Sequence, residues 1–214
     1  ALQRAVECIR GVTPVERSLI EALQARYPQA EPASNEVMTG WDRDFADTMR
    51  AAFERYPESL DLRALFVESL MDLTPWKMWE LHTGQPAAGA ATQEAQSVLE
   101  EALDHQPGAM THPGLLHLYV HLMEMSPFPE KALKAADVLR TLVPDAGHLV
   151  HMPTHIDVLC GHYHNVVHWN ERAVEADLKY YRREGAFNFY TGYRQHNYHF
   201  VIYGALFLGQ MEPV

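Results

Sequence analysis

The sequence predicts an all-α fold of stacked antiparallel helical hairpins, and three observations lead there. Apolar residues recur at three- and four-residue spacings through most of the 214 residues, the pattern of helices with one buried face. Strand-like alternation of apolar and polar positions is nearly absent. Prolines fall mainly between the periodic segments, where they end one helix or open the next.

The segments follow in order. VERSLIEALQARY (15–27), WDRDFADTMRAAFERY (41–56) and LDLRALFVESLMDL (60–73) form the first group. TQEAQSVLEEALDH (92–105), PGLLHLYVHLMEM (113–125) and PEKALKAADVLRTL (129–142) continue it, and helices over 147–160, 163–182 and about 190–209 complete it. In THPGLL, Pro113 suits the first helical position, with Thr111 or His112 as cap. HTGQPAAGAA (82–91) is expected to be a loop inside a single domain over 1–214. Just before it, TPWKMWELH places Trp76 and Trp79 either in the core or in the wall of a substrate pocket. Asp61 and Glu68 share a face of the 60–73 helix, for which a solvated face is expected over a site role.

A net charge of −11 argues against nucleic-acid and anionic-membrane partners, both of which require basic surface. No apolar run reaches the roughly 18 residues of a bilayer span, and GALFLGQM (204–211) is far too short. The start at ALQRAV and the stop at GQMEPV suggest a piece of a longer chain. Cytoplasmic placement is the weak expectation. Cys8 and Cys160 are expected to be buried free thiols, since small disulfide frameworks use more cysteines.

A repeat underlies the helices. A small or aliphatic residue stands five positions before a closing proline at Leu23/Pro28, Ala52/Pro57, Ala102/Pro107 and Leu139/Pro144. On this basis the chain resembles the tetratricopeptide repeat (TPR) family. In PEKALKAADVLRTLVP, residues Ala132, Ala136, Leu139 and Pro144 fall where that repeat keeps second-helix packing residues and a closing proline. In CGHYHNVVHWNERAVEAD, Gly161, Tyr163 and Ala173 match the turn and second-helix positions, whereas Asn170 stands where an aromatic residue is usual. The first-helix Trp-Leu-Gly signature is missing. The resemblance implies a TPR-like α-solenoid whose alternate helices line a concave groove. The chain is also similar to a bacterial group with HPG, H-x-Y-x-H and GHLVHMP strings, a likeness that implies no activity.

Histidine is the outlier, with 13 in the chain and twelve of those between positions 105 and 199. At about 100° per residue, positions i, i+3, i+4 and i+7 of a helix share a face. His117, His121 and Glu124 make one stripe, His148, His151 and His155 a second, and His196, His199 and Tyr203 a third. The three striped helices alternate with one that has no histidine and one that has only His164 and His168. Stacking would therefore set the stripes side by side.

This donor set predicts a His-rich metal centre, one ion with supporting bases or two adjacent ions. Its ligands would be His117, His121, His148, His151, His155, His196 and His199. Glu124 and Tyr203 are candidate catalytic groups, and Arg194, Trp76 and Trp79 candidate substrate contacts. Imidazole-rich ligation favours copper, then iron, then zinc. The expected activity is a metal-dependent oxidoreductase acting on a small organic substrate. The alternatives are a metal-free, TPR-like peptide-binding scaffold, a zinc hydrolase, and metal storage or delivery without turnover. The helical surface also leaves room for a protein partner. His82 and His105 read as surface residues, His162, His164 and His168 as solvated or capping, and His112 as a cap. Pro153 is the weak joint: a helix starting there would put His148 and His151 on a preceding turn.

Overall fold

Thr13 opens the first long helix with a reciprocal cap. Its side chain accepts from the Glu16 amide while the Glu16 carboxylate accepts from the Thr13 amide. Ser34 and Ser59 cap the next two helices through their hydroxyls. These caps explain starts that apolar periodicity leaves vague.

The computed structural model describes residues 1–210, so the closing GQMEPV lies partly outside the described residues. Among the described residues the fold is all-α apart from one short two-stranded ribbon. Its contacts divide into two compact units, Ala1–Pro107 and Gly108–Val214.

The first unit contains α1 (Leu2–Glu7), α2 (Pro14–Arg26), α3 (Asn35–Arg55), α4 (Leu60–Met71) and α5 (Thr92–His105). Between α4 and α5, β1 (Trp79–Glu80) pairs antiparallel with β2 (Gln85–Pro86), so the expected loop contains a small hairpin. Thr92 clips this hairpin to α5 by donating to the Met78 carbonyl. Helix α3 begins earlier than periodicity suggests because Ser34 caps it. Ala22, Met49, Leu62, Phe66 and Leu99 are buried in this unit. Buried Arg63 donates to the carbonyls of Val98 and Pro57 and pairs with Glu101, tying α4 to α5. Asp61 and Glu68 are exposed, as expected of a solvated face.

Three expectations need correction. Cys8 is exposed and Cys160 only partly buried, although both are free thiols as expected. Trp76 is 73% exposed and adopts a positive φ of 54°, so it is not a core residue. The predicted helix over 147–160 is two helices, for the reason given below.

The second unit contains α6 (Pro113–Met123), α7 (Leu133–Leu142), α8 (Gly147–His151), α9 (Pro153–Leu159), α10 (Tyr163–Glu184) and α11 (Thr191–Phe207). His112 is the cap of α6, its Nδ1 accepting from the Leu115 amide. A 3₁₀ turn over Pro129–Ala132 leads into α7. Helix α6 packs on α7 and α9, α10 packs on α8, α9 and α11, and α11 also touches α8. The core includes Leu115, Leu116, Leu139, Ile156 and Val166.

Pro153 splits the middle stripe without scattering it. It lacks the amide that would continue α8, and it occupies the first position of α9. The joining residue, Met152, keeps right-handed helical backbone with φ −51° and ψ −40°. The Thr154 hydroxyl donates to the His151 carbonyl across the break. His148 and His151 thus lie on the turn before Pro153, yet still face the same way as His155.

Candidate metal centre

Helices α6, α8, α9 and α11 bring six of the seven predicted histidines together. They fall into two sets, His117/His121/His148 and His151/His155/His196. Within each set the ligand atoms lie within 4.8 Å of one another. His117 Nε2 stands 3.1 Å from His148 Nε2, and His151 Nε2 stands 2.9 Å from His155 Nε2. His196 Nε2 lies 3.5 Å from His155 Nε2. The sets adjoin, with the His148 and His151 rings 6.2 Å apart.

Glu124 joins the sets. Its Oε1 is 2.8 Å from His121 Nδ1 and its Oε2 is 2.6 Å from His155 Nδ1. An ionised carboxylate can only accept, so both ring nitrogens carry protons and donate to it. In the neutral form of each ring, Nε2 of His121 and of His155 then carries the lone pair. Burial would raise the Glu124 carboxyl, but the hydrogen bonds from His121 and His155 outweigh it and hold the group at about 2.

His151 is oriented from the other side. It is fully buried, and its Nδ1 is 2.6 Å from Asn170 Oδ1. The Asn170 amide nitrogen donates to the Val166 carbonyl and to Thr154 Oγ1, which fixes the amide's orientation. Asn170 Oδ1 must therefore accept from His151 Nδ1–H, leaving His151 Nε2 bare as well. With both rings neutral, the short contact between His151 and His155 sets two lone pairs against each other. Burial, with His155 adjacent, pushes the His151 imidazole well below its ordinary range.

The other set is electrically similar. Burial lowers His117 to about 3, helped by His121 and His148 and opposed by Glu124. Burial also lowers His148 to about 4, helped by its histidine neighbours. His196, nearer to solvent, is lowered by burial and by His155. His117, His148, His151 and His196 are thus neutral at neutral pH, the form in which nitrogen binds a metal.

Aromatic rings border both sets. Phe200 lies 4.7, 4.6 and 4.7 Å from the rings of His151, His155 and His196. Tyr193 meets His148 edge-on at 5.1 Å.

The remaining predicted residues lie elsewhere. His199 is exposed and belongs to neither set. Tyr203 packs between Phe200 and Phe207 rather than against a histidine. Arg194 stacks over Tyr181 at 4.6 Å. Trp76 and Trp79 belong to the first unit. His162, His164 and His168 are exposed, with His162 3.4 Å from Asp157, and His82 and His105 are surface residues.

Sequence reasoning missed Asn170, Phe200 and Tyr193. Asn170 did leave a signal, since it stands where the repeat usually has an aromatic residue. No helix among the described residues is long and apolar enough to cross a membrane. No family model, no curated protein and no solved structure matches the chain.

Proposed function

We propose that the second unit holds a pair of transition-metal ions, one in each histidine set, and that the protein is a metal-dependent oxidoreductase acting on a small organic molecule. One observation carries the reading: Nε2 of His151 and Nε2 of His155 face each other at 2.9 Å while the Nδ1–H of each ring is committed elsewhere. Between two neutral rings that arrangement is repulsive. A cation offers a reason for it, since two nitrogens each about 2.0–2.1 Å from one ion stand about 3 Å apart.

The donor types favour copper, then iron, then zinc. Each set offers three imidazoles, while both oxygens of the one nearby carboxylate are engaged by histidine N–H groups. Carboxylate-rich di-iron sites are built differently, and nitrogen-only ligation by imidazole suits copper. A bound pair would supply one-electron chemistry. The chain would fix the ring tautomers, exclude bulk water from His151 and present the His196 edge beside Phe200 to the substrate. The same reading takes α6 to α11 as stacked TPR-like hairpins with their histidine stripes in one layer, supported by the contacts of α6 with α9 and of α8 with α11.

Elemental analysis of untagged protein, offered copper, iron(II) and zinc and then desalted, tests this. The expected result is about two ions per wild-type chain and about one in His121→Ala and in His151→Ala. Wild-type protein that retains no transition metal, or variants that both retain the full complement, would overturn the reading. Dioxygen uptake with reducing small-molecule substrates then separates an oxidoreductase from a storage protein.

A further inference from the structure

Helix α8 is five residues long, too short to hold its own position, yet it carries two of the six clustered histidines. Something outside it must set where they point. For His151 that is Asn170. For His148 the contacts lead to a carboxylate that the site described above does not use.

Asp177, on α10, is 2% exposed. Its Oδ1 accepts from the Tyr190 hydroxyl at 2.7 Å and its Oδ2 from the Asn197 amide at 2.7 Å. The Tyr190 oxygen in turn accepts from the main-chain N–H of His148 at 3.1 Å. That N–H lies in the first turn of α8, where no helical carbonyl is available to it. Against the same carboxylate lies Gly147: a Cβ built there would come within 2.0 Å of Asp177 Oδ1 and 2.8 Å of the Ala173 carbonyl. The glycine is required by close approach, not by a turn. The Tyr190 ring is held between Tyr180, at 5.0 Å, and Tyr193, at 5.4 Å, and Tyr193 reaches the His148 imidazole.

One buried carboxylate therefore references three elements to each other: α8 through Gly147 and His148, α10 through its own backbone, and α11 through Asn197. No cation pairs directly with it, in contrast to Asp157, which is ion-paired to Arg140. Burial raises the Asp177 carboxyl, against the hydrogen bonds from Tyr190 and Asn197 and the nearby charge of Arg194. Burying a carboxylate with no cation in direct contact is costly unless hydrogen bonds compensate it, as those from Tyr190 and Asn197 do here.

We propose that Asp177 and Tyr190 are positioning residues for His148: the Asp177–Tyr190–His148 chain of hydrogen bonds sets the metal affinity of the His117/His121/His148 set and leaves the His151/His155/His196 set alone. This rests on the metal-binding reading for its functional consequence, but the clamp itself is testable without metal.

Tyr190→Phe keeps the ring and its stacking while removing the hydroxyl. In metal-free protein, hydrogen exchange at the His148 amide should accelerate at least several-fold, with the His155 and Ile156 amides unchanged. Metal titrations would use Co(II) and Cu(II) in two backgrounds. His155→Ala/His196→Ala isolates the first set, and His117→Ala/His121→Ala isolates the second. Tyr190→Phe should weaken the first set about 10- to 100-fold, the range for lost partners of metal ligands, and leave the second within about twofold. Asp177→Asn, which presents an N–H₂ to groups that need an acceptor, should act in the same direction. Equal weakening of both sets, or unchanged affinity together with unchanged His148 exchange, would overturn the proposal. Faster His148 exchange in a wild-type background that binds no metal would uphold the clamp, overturn its metal-affinity consequence and defeat the metal-binding reading.

Discussion

In the first unit, Ser18, Ser69 and Arg63 are buried, and each directs its polar atoms to main-chain carbonyls, of Pro14, Phe66 and Val98 respectively. In the second, His151, Asn170, Asp157, Asp177 and Asn197 are buried and bond chiefly to other side chains. The difference is instructive. Bonding to a carbonyl satisfies a polar atom within a local turn or across one helix contact. A network of side chains fixes ring tautomers and orientations, and every member depends on the others. The first unit's buried polar groups close its packing, and in the second Asn170 orients a clustered histidine ring directly.

The contrast can be tested from both sides. The largest expected effect on stability belongs to the first unit. Leu99 is fully buried on α5, so Leu99→Ala should cost about 2–5 kcal/mol in denaturant unfolding. The metal content of the folded protein should stay at the wild-type value. A loss of metal there would mean that the units do not divide the work this way.

Gly147→Ala comes next. Its methyl group would collide with Asp177 and with the Ala173 carbonyl, and overpacking of this kind costs about 1–3 kcal/mol. A variant as stable as wild type by thermal melting would show that α8 is not held tightly against α10.

Glu124→Gln sharpens the comparison within the second unit. An amide can accept from only one of the two histidine N–H groups that Glu124 now receives. Affinity should fall about 10- to 100-fold at the histidine set that loses its acceptor and less at the other, as measured by competition with a chelator. Unchanged affinity at both sets would show that the carboxylate does not orient their rings.

A smaller effect should appear with pH. In metal-free protein, His117 and His148 titrate at about 3 and about 4, below the ordinary 6.5. The folded state thus binds fewer protons than the unfolded one, so stability is full above pH 6.5 and falls as pH drops toward 4. One pH unit below 6.5, the loss should be about 1 kcal/mol for each of these histidines. His117→Gln should flatten that slope in urea melts at pH 5.5 and 7.5. The smallest effect should come from Thr13→Ala, which removes the cap of α2 at about 1 kcal/mol and should leave the histidine sets unaltered.

Much of this molecule is legible one residue at a time. The helices over Thr92–His105 and Pro113–Met123 follow from apolar spacing and punctuation, because burial of one face is a local, periodic demand. The stripes of His117/His121 and His148/His151/His155 follow from the same period. The alternation of striped helices predicts that they meet. Other features were not legible. Periodicity runs through Pro153 without a break, so only the backbone at Met152 shows that α8 and α9 keep one face. Trp76 has the apolar character of a core residue, and its exposure depends on the hairpin that follows it.

The sequence by itself determined the all-α class, the order of the helices and which histidines share a face, because these depend on neighbours three or four residues away. The tertiary structure decided that six histidines divide into two sets, that Glu124 spans them, and that His199 stays outside. It also decided the partners of Asn170 and Asp177. Those outcomes depend on which side chains meet across helices tens of residues apart, and no period in the chain encodes that distance.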